Sequence, residues 1–257
     1  MNMTLSVFIH KVLRKWMKIR LQPIRVFCLH HVCKQFDADS MYPCDWMDID
    51  VFKEKIIDLQ KQGYQFISLT EAYKHLKQDY FRRKKYAVLT FDDGYKSILE
   101  VLPWLETMQI PVTLFVNGKY LDGKAYRENP NEQYLTYDEL FAIISPLVEI
   151  GHHGWEHTSA SKMSSEELKK SIQKNAEIIS AHPRYVPFWA YTYGQCSIQS
   201  NTIIAHYHLI PVNVSGRVNF TYNNIVERVP IFYVDANIKT TLKCKNSRQC
   251  RNCIYGY

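Results

Sequence analysis

The sequence predicts an α/β protein built on a mostly parallel sheet, and three observations carry this. Short apolar runs alternate with helix-like stretches six or seven times along the chain, the pattern of repeated βαβ units. Unusual polar residues fall just after these apolar runs: His30-His31, Asp92-Asp93, His153 with His157, and Tyr191 to Gly194. The length, 257 residues, suits a single α/β barrel as well as two smaller domains. An open doubly wound sheet and a barrel both satisfy the alternation. A barrel gathers strand C-termini into one pocket, which favours it for polar residues so far apart in sequence.

The elements follow in order. Ile24 to His30 reads as a strand, β-branched and aromatic, ending in polar residues. Asp50 to Gln62 reads as a helix, because Phe52, Ile56 and Leu59 recur on one face and Gly63 stops it. Gln65 to Leu69 is a strand, and Thr70 is expected to cap a helix through His75. Tyr86 to Phe91 is the clearest strand, ending abruptly in Asp92-Asp93-Gly94. A helix reaches Met108 with Pro103 as a potential kink, then Val112 to Val116 is a strand. Thr136 to Ile144 reads as a helix and Val148 to Ile150 as a short strand running into Gly151-His152-His153. Ser164-Ser165-Glu166-Glu167 is a capping box for a helix to about Ser180. Weaker strands are expected near Val186–Ala190, Leu209–Val214 and Val229–Phe232, with His206 and His208 in the helix before the second of these.

Composition excludes several classes. Hydrophobic residues are 46% and charged residues 22%, ordinary for a globular chain and unlike a disordered one. Gly 9 and Pro 10 are too few for collagen or a low-complexity chain. The formal net charge of +7 permits an anionic partner without demanding nucleic acid. No run approaches the roughly 18 apolar residues of a membrane span, nor the roughly 7–15 of a secretory core, so a cytoplasmic location is expected. Residues 1–20 are amphipathic at helical spacing, with Leu5, Phe8, Val12 and Trp16 on one face and bases elsewhere. That pattern can lie on an anionic membrane surface or pack on the domain. Seven Cys, an odd and scattered count, do not form a secreted disulfide framework. Cys244, Cys250 and Cys253 in the tail lack a well-spaced fourth ligand for structural zinc.

Two motifs carry most of the chemistry. Adjacent carboxylates at Asp92 and Asp93 repel, and a nearby cation would relieve the repulsion and split their work into ligand and base. The alternative is an ordinary Asp-Gly turn. His153-Gly154-Trp155-Glu156-His157 offers two imidazoles that can reach one metal and complete a two-His, one-carboxylate set with Asp93. The same five residues also spell the inverted zinc-protease pattern, which would need a helix where Gly151 and Gly154 argue for a loop. Trp189-Ala190-Tyr191-Thr192-Tyr193-Gly194 suits a sugar-stacking wall and a turn aiming an N–H at an oxyanion, or simply an aromatic core strand.

In this order the three pieces resemble the polysaccharide deacetylase family (NodB-homology domain, carbohydrate esterase family four). Thr90-Phe91-Asp92-Asp93-Gly94 is similar to its first motif, Gly151 to His157 to its second, and Trp189 to Gly194 to the "FAYPYG" form of its third. Cys28-Leu29-His30-His31-Val32 resembles the early "YH-x-V" strand, and Phe52 to Leu69 followed by Thr70-Glu71 the usual lead-in. The resemblance spans about residues 24–236, leaving 1–23 as a basic amphipathic segment and 237–257 as a Cys-containing tail. It implies a single-domain, distorted (β/α)7 barrel that removes N-acetyl groups from a glycan, either a polysaccharide or its precursor. It implies metal ligation by Asp93, His153 and His157, with Asp92 as the general base and the Tyr193 N–H at the oxyanion. Zinc is the expected ion, with Co2+, Ni2+ and Mn2+ as alternatives. Tyr95, Trp189 and Tyr191 are expected to contact substrate.

Three departures accompany the resemblance. Thr192 stands where the third motif usually has Pro. The family's arginine-containing third motif, which tethers the base, is expected to be absent here. No His follows His208, so the family's late proton donor is missing and His30 is the expected substitute, with Glu156 or metal-bound water as alternatives. A glycan-binding relative with weak catalysis is the rival reading, and the oligomeric state is left open.

Overall fold

In the computed structural model the described residues are 21–34, 46–78, 82–122 and 133–230. The amphipathic start, Cys44 and the Cys-containing tail lie outside them. The elements are β1 (Ile24–Leu29), β2 (His31–Cys33), β3 (Trp46–Asp48), α1 (Ile49–Lys61), β4 (Tyr64–Phe66), α2 (Leu69–Gln78), β5 (Lys85–Phe91) and α3 (Ile98–Thr107). They continue with β6 (Val112–Val116), α4 (Tyr137–Phe141), β7 (Val148–His152), α5 (Ser165–Ile179), β8 (Tyr185–Ala190), α6 (Ile198–His206), β9 (Ile210–Val214) and β10 (Val226–Pro230).

Seven parallel strands close on themselves in the order β5-β6-β7-β8-β9-β10-β1, with β1 pairing back onto β5. The barrel expected from the sequence is therefore the fold. Its distortion has a definite location. β1 pairs with β5 over residues 24–29 and 86–91. On the other edge of β5, β4 takes residues 85–87 and β6 takes 89–91. β4 thus fills the lower half of a seam that β6 closes above. β2 and β3 form a separate parallel pair over the top, with His31 opposite Trp46.

Side-chain alternation divides the core in two. Phe27, Leu29, Ala87, Leu89 and Phe91 join Phe52, Ile56 and Leu105 of the surrounding helices. Ile24, Val26, Tyr86, Val88, Phe115, Phe188, Val212 and Val226 fill the barrel interior. The same parity turns Cys28, Thr90 and Arg228 inward and brings Asp92 to the top of the interior. Polar residues therefore collect above the apolar plug, at the C-terminal ends of the strands.

Several boundaries differ from expectation. The cap of α2 is Ser68, whose hydroxyl accepts from Glu71 N–H at 3.2 Å, and not Thr70. Thr70 N–H instead donates to the buried Glu149 carboxylate, which also takes Leu69 N–H at 3.1 Å and the Thr113 hydroxyl at 2.9 Å. β7 runs two residues further than expected, through Gly151 and His152, because both pair with β6. β10 lies three residues earlier at its start, at Val226, a shift that matters for the site. The capping boxes at Thr136 and Ser164 form, with Glu139 and Glu167 as reciprocal partners. No helix among the described residues is long and apolar enough to cross a membrane.

Candidate active site

The end of β5 delivers two carboxylates to different places. Asp92 continues the inward parity of Val88 and Thr90, and its backbone N–H donates to Leu29 O at 2.9 Å. Asp93 turns out of the strand at φ 72, a left-handed conformation that costs energy in a non-glycine residue. The turn brings Asp93 Oδ1 to 3.2 Å from His153 Nε2 and 2.9 Å from His157 Nε2. One ligand atom from each of the three residues lies within 4.8 Å of the others.

This set fits a divalent ion. His153 Nδ1 is 2.9 Å from the Ala190 carbonyl, so that nitrogen is the donor and Nε2 presents a lone pair. In the neutral ring, a lone pair facing a carboxylate oxygen at 3.2 Å is repulsive, and either a proton on Nε2 or a divalent ion between the two relieves it. A tetrahedral zinc separates N and O ligands by about 3.3 Å, close to both observed spacings. Burial pushes the His153 imidazolium down, yet the Asp92 and Asp93 carboxylates outweigh it and raise its hold on positive charge. His157 Nδ1 lies 3.2 Å from the Tyr193 hydroxyl, a pair in which the imidazole N–H donates when Nε2 serves as ligand.

The loop carrying both imidazoles is irregular and holds no helix. Asn117 fixes it, donating through Nδ2 to His153 O at 2.7 Å and Gly154 O at 3.2 Å. The His157 N–H donates to the Tyr120 hydroxyl at 3.2 Å. A helix carrying both histidines, which the zinc-protease reading needs, is not formed. Glu156, its proposed base, is instead paired with Lys119 at 2.6 Å.

Asp92 has its own partners. Arg228 donates from Nη1 to Oδ1 at 2.5 Å and from Nη2 to Oδ2 at 2.8 Å, with a further bond to the Thr90 hydroxyl at 3.1 Å. Burial alone would raise the Asp92 carboxyl; Arg228 and then His153 hold it below the usual carboxylate range. The expected absence of an arginine tethering the base is thereby corrected: Arg228, on the last strand, supplies it. Arg228 lies between valines in the short strand Val226-Glu227-Arg228-Val229, two residues after the inward-facing Val226. That placement was the available signal, and it was obscured by starting the strand at Val229.

The half-buried His30 stands at the end of β1, close enough for one ligand atom each of Cys28, His30 and Asp92 to lie within 4.8 Å of one another. The Cys28 thiol donates to Asp92 Oδ2 at 3.5 Å. Tyr193 sits in a turn, Thr192–Gly194, at φ 58 and ψ 12, with its side chain 57% exposed beside His157. Gly194 is needed there: its φ is +63, and a Cβ would sit 2.8 Å from the Val214 carbonyl oxygen.

The expected substrate-contacting rings need correction. Tyr95, Trp189 and Tyr191 are all buried. Tyr95 is stacked between His31 and Tyr134 at 3.6 and 4.9 Å between centroids. The Tyr191 hydroxyl donates to Asn201 Oδ1 at 2.6 Å, and Trp189 packs beside His152. These rings support the site from behind and offer no face to a sugar. Continuous burial from Phe188 to Tyr191 explains this: the end of β8 is a core strand covered on both faces, the plainer of the two sequence readings.

Comparison with known proteins gives a consistent result. A protein-family model described as polysaccharide deacetylase matches residues 80–210. The poly-beta-1,6-N-acetyl-D-glucosamine N-deacetylase of Escherichia coli (strain K12) is 25% identical over 142 residues, covering 52% of this chain and 21% of that protein. The chain thus spans about one fifth of the length of that curated relative. Among solved structures, IcaB from Ammonifex degensii matches with a TM-score of 0.66 at 20% identity, covering 81% of this chain and 91% of that one. The Streptococcus pyogenes deacetylase PplD matches at 0.64 and 17%, covering 81% and 92%. At these identities the solved structures speak to the fold.

Proposed function

Because the chain belongs to the polysaccharide deacetylase family, we propose that it is a metal-dependent hydrolase that removes N-acetyl groups from a glycan rich in N-acetylglucosamine. The observation that carries this is the division of labour between Asp92 and Asp93. One carboxylate faces two imidazole nitrogens, while its neighbour is held ionised by a buried guanidinium. The E. coli relative's poly-N-acetylglucosamine activity supports the sugar class.

Asp93, His153 and His157 are the ligands in this reading, and zinc is the ion. When bound there, such an ion lowers the pKa of a water and polarises the amide carbonyl. Asp92 accepts the proton from the attacking water, and Arg228 keeps that carboxylate ionised and pointed at the pocket. The Tyr193 backbone N–H donates to the developing oxyanion, its direction set by the left-handed turn. His30, half-buried beside Asp92, returns a proton to the departing amine.

The test is acetate release from N-acetylglucosamine oligomers, with and without added Zn2+ or Co2+. Metal-dependent acetate release is expected. Glycan binding with bound metal and no acetate from any N-acetylated glycan would overturn the reading in favour of a binding protein.

A further inference from the structure

A second cluster of metal-ligating side chains lies beside the first; the proposed reaction uses two of its members, His30 and Asp92, but gives the third, Cys28, no role. Cys28, His30 and Asp92 converge from the ends of β1 and β5. Cys28 and Asp92 are buried, whereas His30 is half-buried and opens the cluster to the pocket. The sulfur-to-oxygen spacing matches that of two ligands on one ion. A tetrahedral zinc with sulfur at about 2.3 Å and oxygen at about 2.0 Å separates the two ligand atoms by about 3.5 Å. Cys28 Sγ and Asp92 Oδ2 are 3.5 Å apart.

We propose that Cys28 Sγ, His30 and Asp92 Oδ2 form a second, thiophilic divalent-cation site that takes Zn2+ or Cd2+ in excess and silences the enzyme. Binding displaces the thiol proton to solvent and leaves a thiolate ligand. Asp92 turns Oδ2 to the ion and keeps Oδ1 on Arg228, so the buried guanidinium still has a carboxylate partner. Arg228 also offsets the new thiolate, since its charge and the Cys28 sulfur interact favourably across the barrel interior. The silencing follows directly: the base is occupied as a ligand, and His30 is immobilised beside it.

The chemistry selects its ion. Thiolate favours Zn2+ and Cd2+ over hard ions such as Mg2+ and Mn2+. The site also binds after the first. Asp92 Oδ2 is 4.0 Å from His153 Nε2, so two ions would be near neighbours and repel. It therefore responds to metal excess rather than serving as a resident cofactor. The proposal rests on the deacetylase reading only in giving Asp92 the role of base.

Full-length protein is titrated with Cd2+, following bound metal by equilibrium dialysis and the thiolate-to-cadmium charge-transfer band in the ultraviolet. Wild type is expected to take one more Cd2+ than Cys28→Ser, with the matching band missing in the variant. His30→Ala, at a half-buried position, is expected to weaken that ion at least about ten-fold while retaining some of the band. Asp93→Asn is expected to lose the other equivalent and keep the Cys28 band. Deacetylation of wild type should fall as Cd2+ passes one equivalent, and Cys28→Ser should not share that fall. Equal stoichiometry and equal bands in wild type, Cys28→Ser and Cys28→Ala would overturn the proposal. Metal counts and bands do not depend on turnover, so an absent deacetylase activity would fail separately.

Discussion

Arg228 grips Asp92 through two parallel hydrogen bonds, Nη1 to Oδ1 at 2.5 Å and Nη2 to Oδ2 at 2.8 Å, across 136 residues of sequence. Both groups are buried, with Arg228 at 0% exposure and its guanidinium 5.3 Å above the Phe115 ring. The pair is bidentate and desolvated, the geometry in which an arginine is hardest to replace. Removing it leaves a buried, unpaired carboxylate. Arg228→Met is therefore expected to lose about 3–5 kcal/mol in denaturant melts. It should also move the acid limb of the pH–rate profile upward, because the charge holding the Asp92 carboxyl low is gone. An unmoved acid limb would detach Arg228 from the base.

Asp92→Asn and Asp93→Asn should fail in opposite ways. Asp92→Asn is expected to retain metal and lose turnover by about 100-fold or more, the usual worth of a general base. Asp93→Asn is expected to lose metal, since two imidazoles remain without their carboxylate. Metal content by elemental analysis, beside turnover, separates the two. Loss of metal in the Asp92 variant would mean that the two roles are exchanged.

His30→Ala is expected to slow turnover by roughly 100-fold or more while metal content stays at the wild-type level. The slowing should be smaller for substrates with better leaving amines, because a good leaving group needs less protonation. Wild-type rates would remove His30 from the reaction.

His152 predicts how stability depends on pH. It is buried between Tyr185 and Asn175, 3.0 and 3.3 Å away, and burial depresses its pKa to about 3 from the ordinary 6.5. Between those values the unfolded chain binds the extra proton and the native one does not. Stability is therefore full above pH 6.5 and falls as pH drops toward about 3, by up to about 1.4 kcal/mol per pH unit from this group. Urea midpoints across that window measure it, and His152→Gln should flatten the slope.

Much of the site was legible because its residues sit where a pattern ends. The β5 run stops on Asp92-Asp93-Gly94, and the imidazoles follow β7 within a few residues. A strand that ends in charge announces its own C-terminus in a parallel sheet. Arg228 was not legible in the same way, since its meaning depends on which strand closes the barrel and in what register. The buried rings erred for a related reason. An aromatic run gives no local sign of whether its rings line a pocket or the wall behind it. Tyr191 is settled by Asn201, ten residues further on, and Tyr95 by His31 on a different sheet. Likewise α2 starts at Leu69, capped by Ser68, with Glu149, far along the chain, accepting the free first-turn N–H groups of Leu69 and Thr70.

The closure of β1 onto β5 has a consequence for how the molecule becomes active. Asp93, His153 and His157 arrive with β5, β7 and the loop after it, a stretch of mutually adjacent strands that can pair before the cylinder is complete. Arg228 rides on β10 and His30 follows β1, and the cylinder closes through β1, which pairs with β10 on one edge and β5 on the other. In the proposed mechanism the three ligands and the base Asp92 thus share adjacent strands, while the arginine that holds the base and the proton donor come into place only when the cylinder closes. A cylinder left open there would present the ligands without a held base, and the first competent molecule would be a fully closed one.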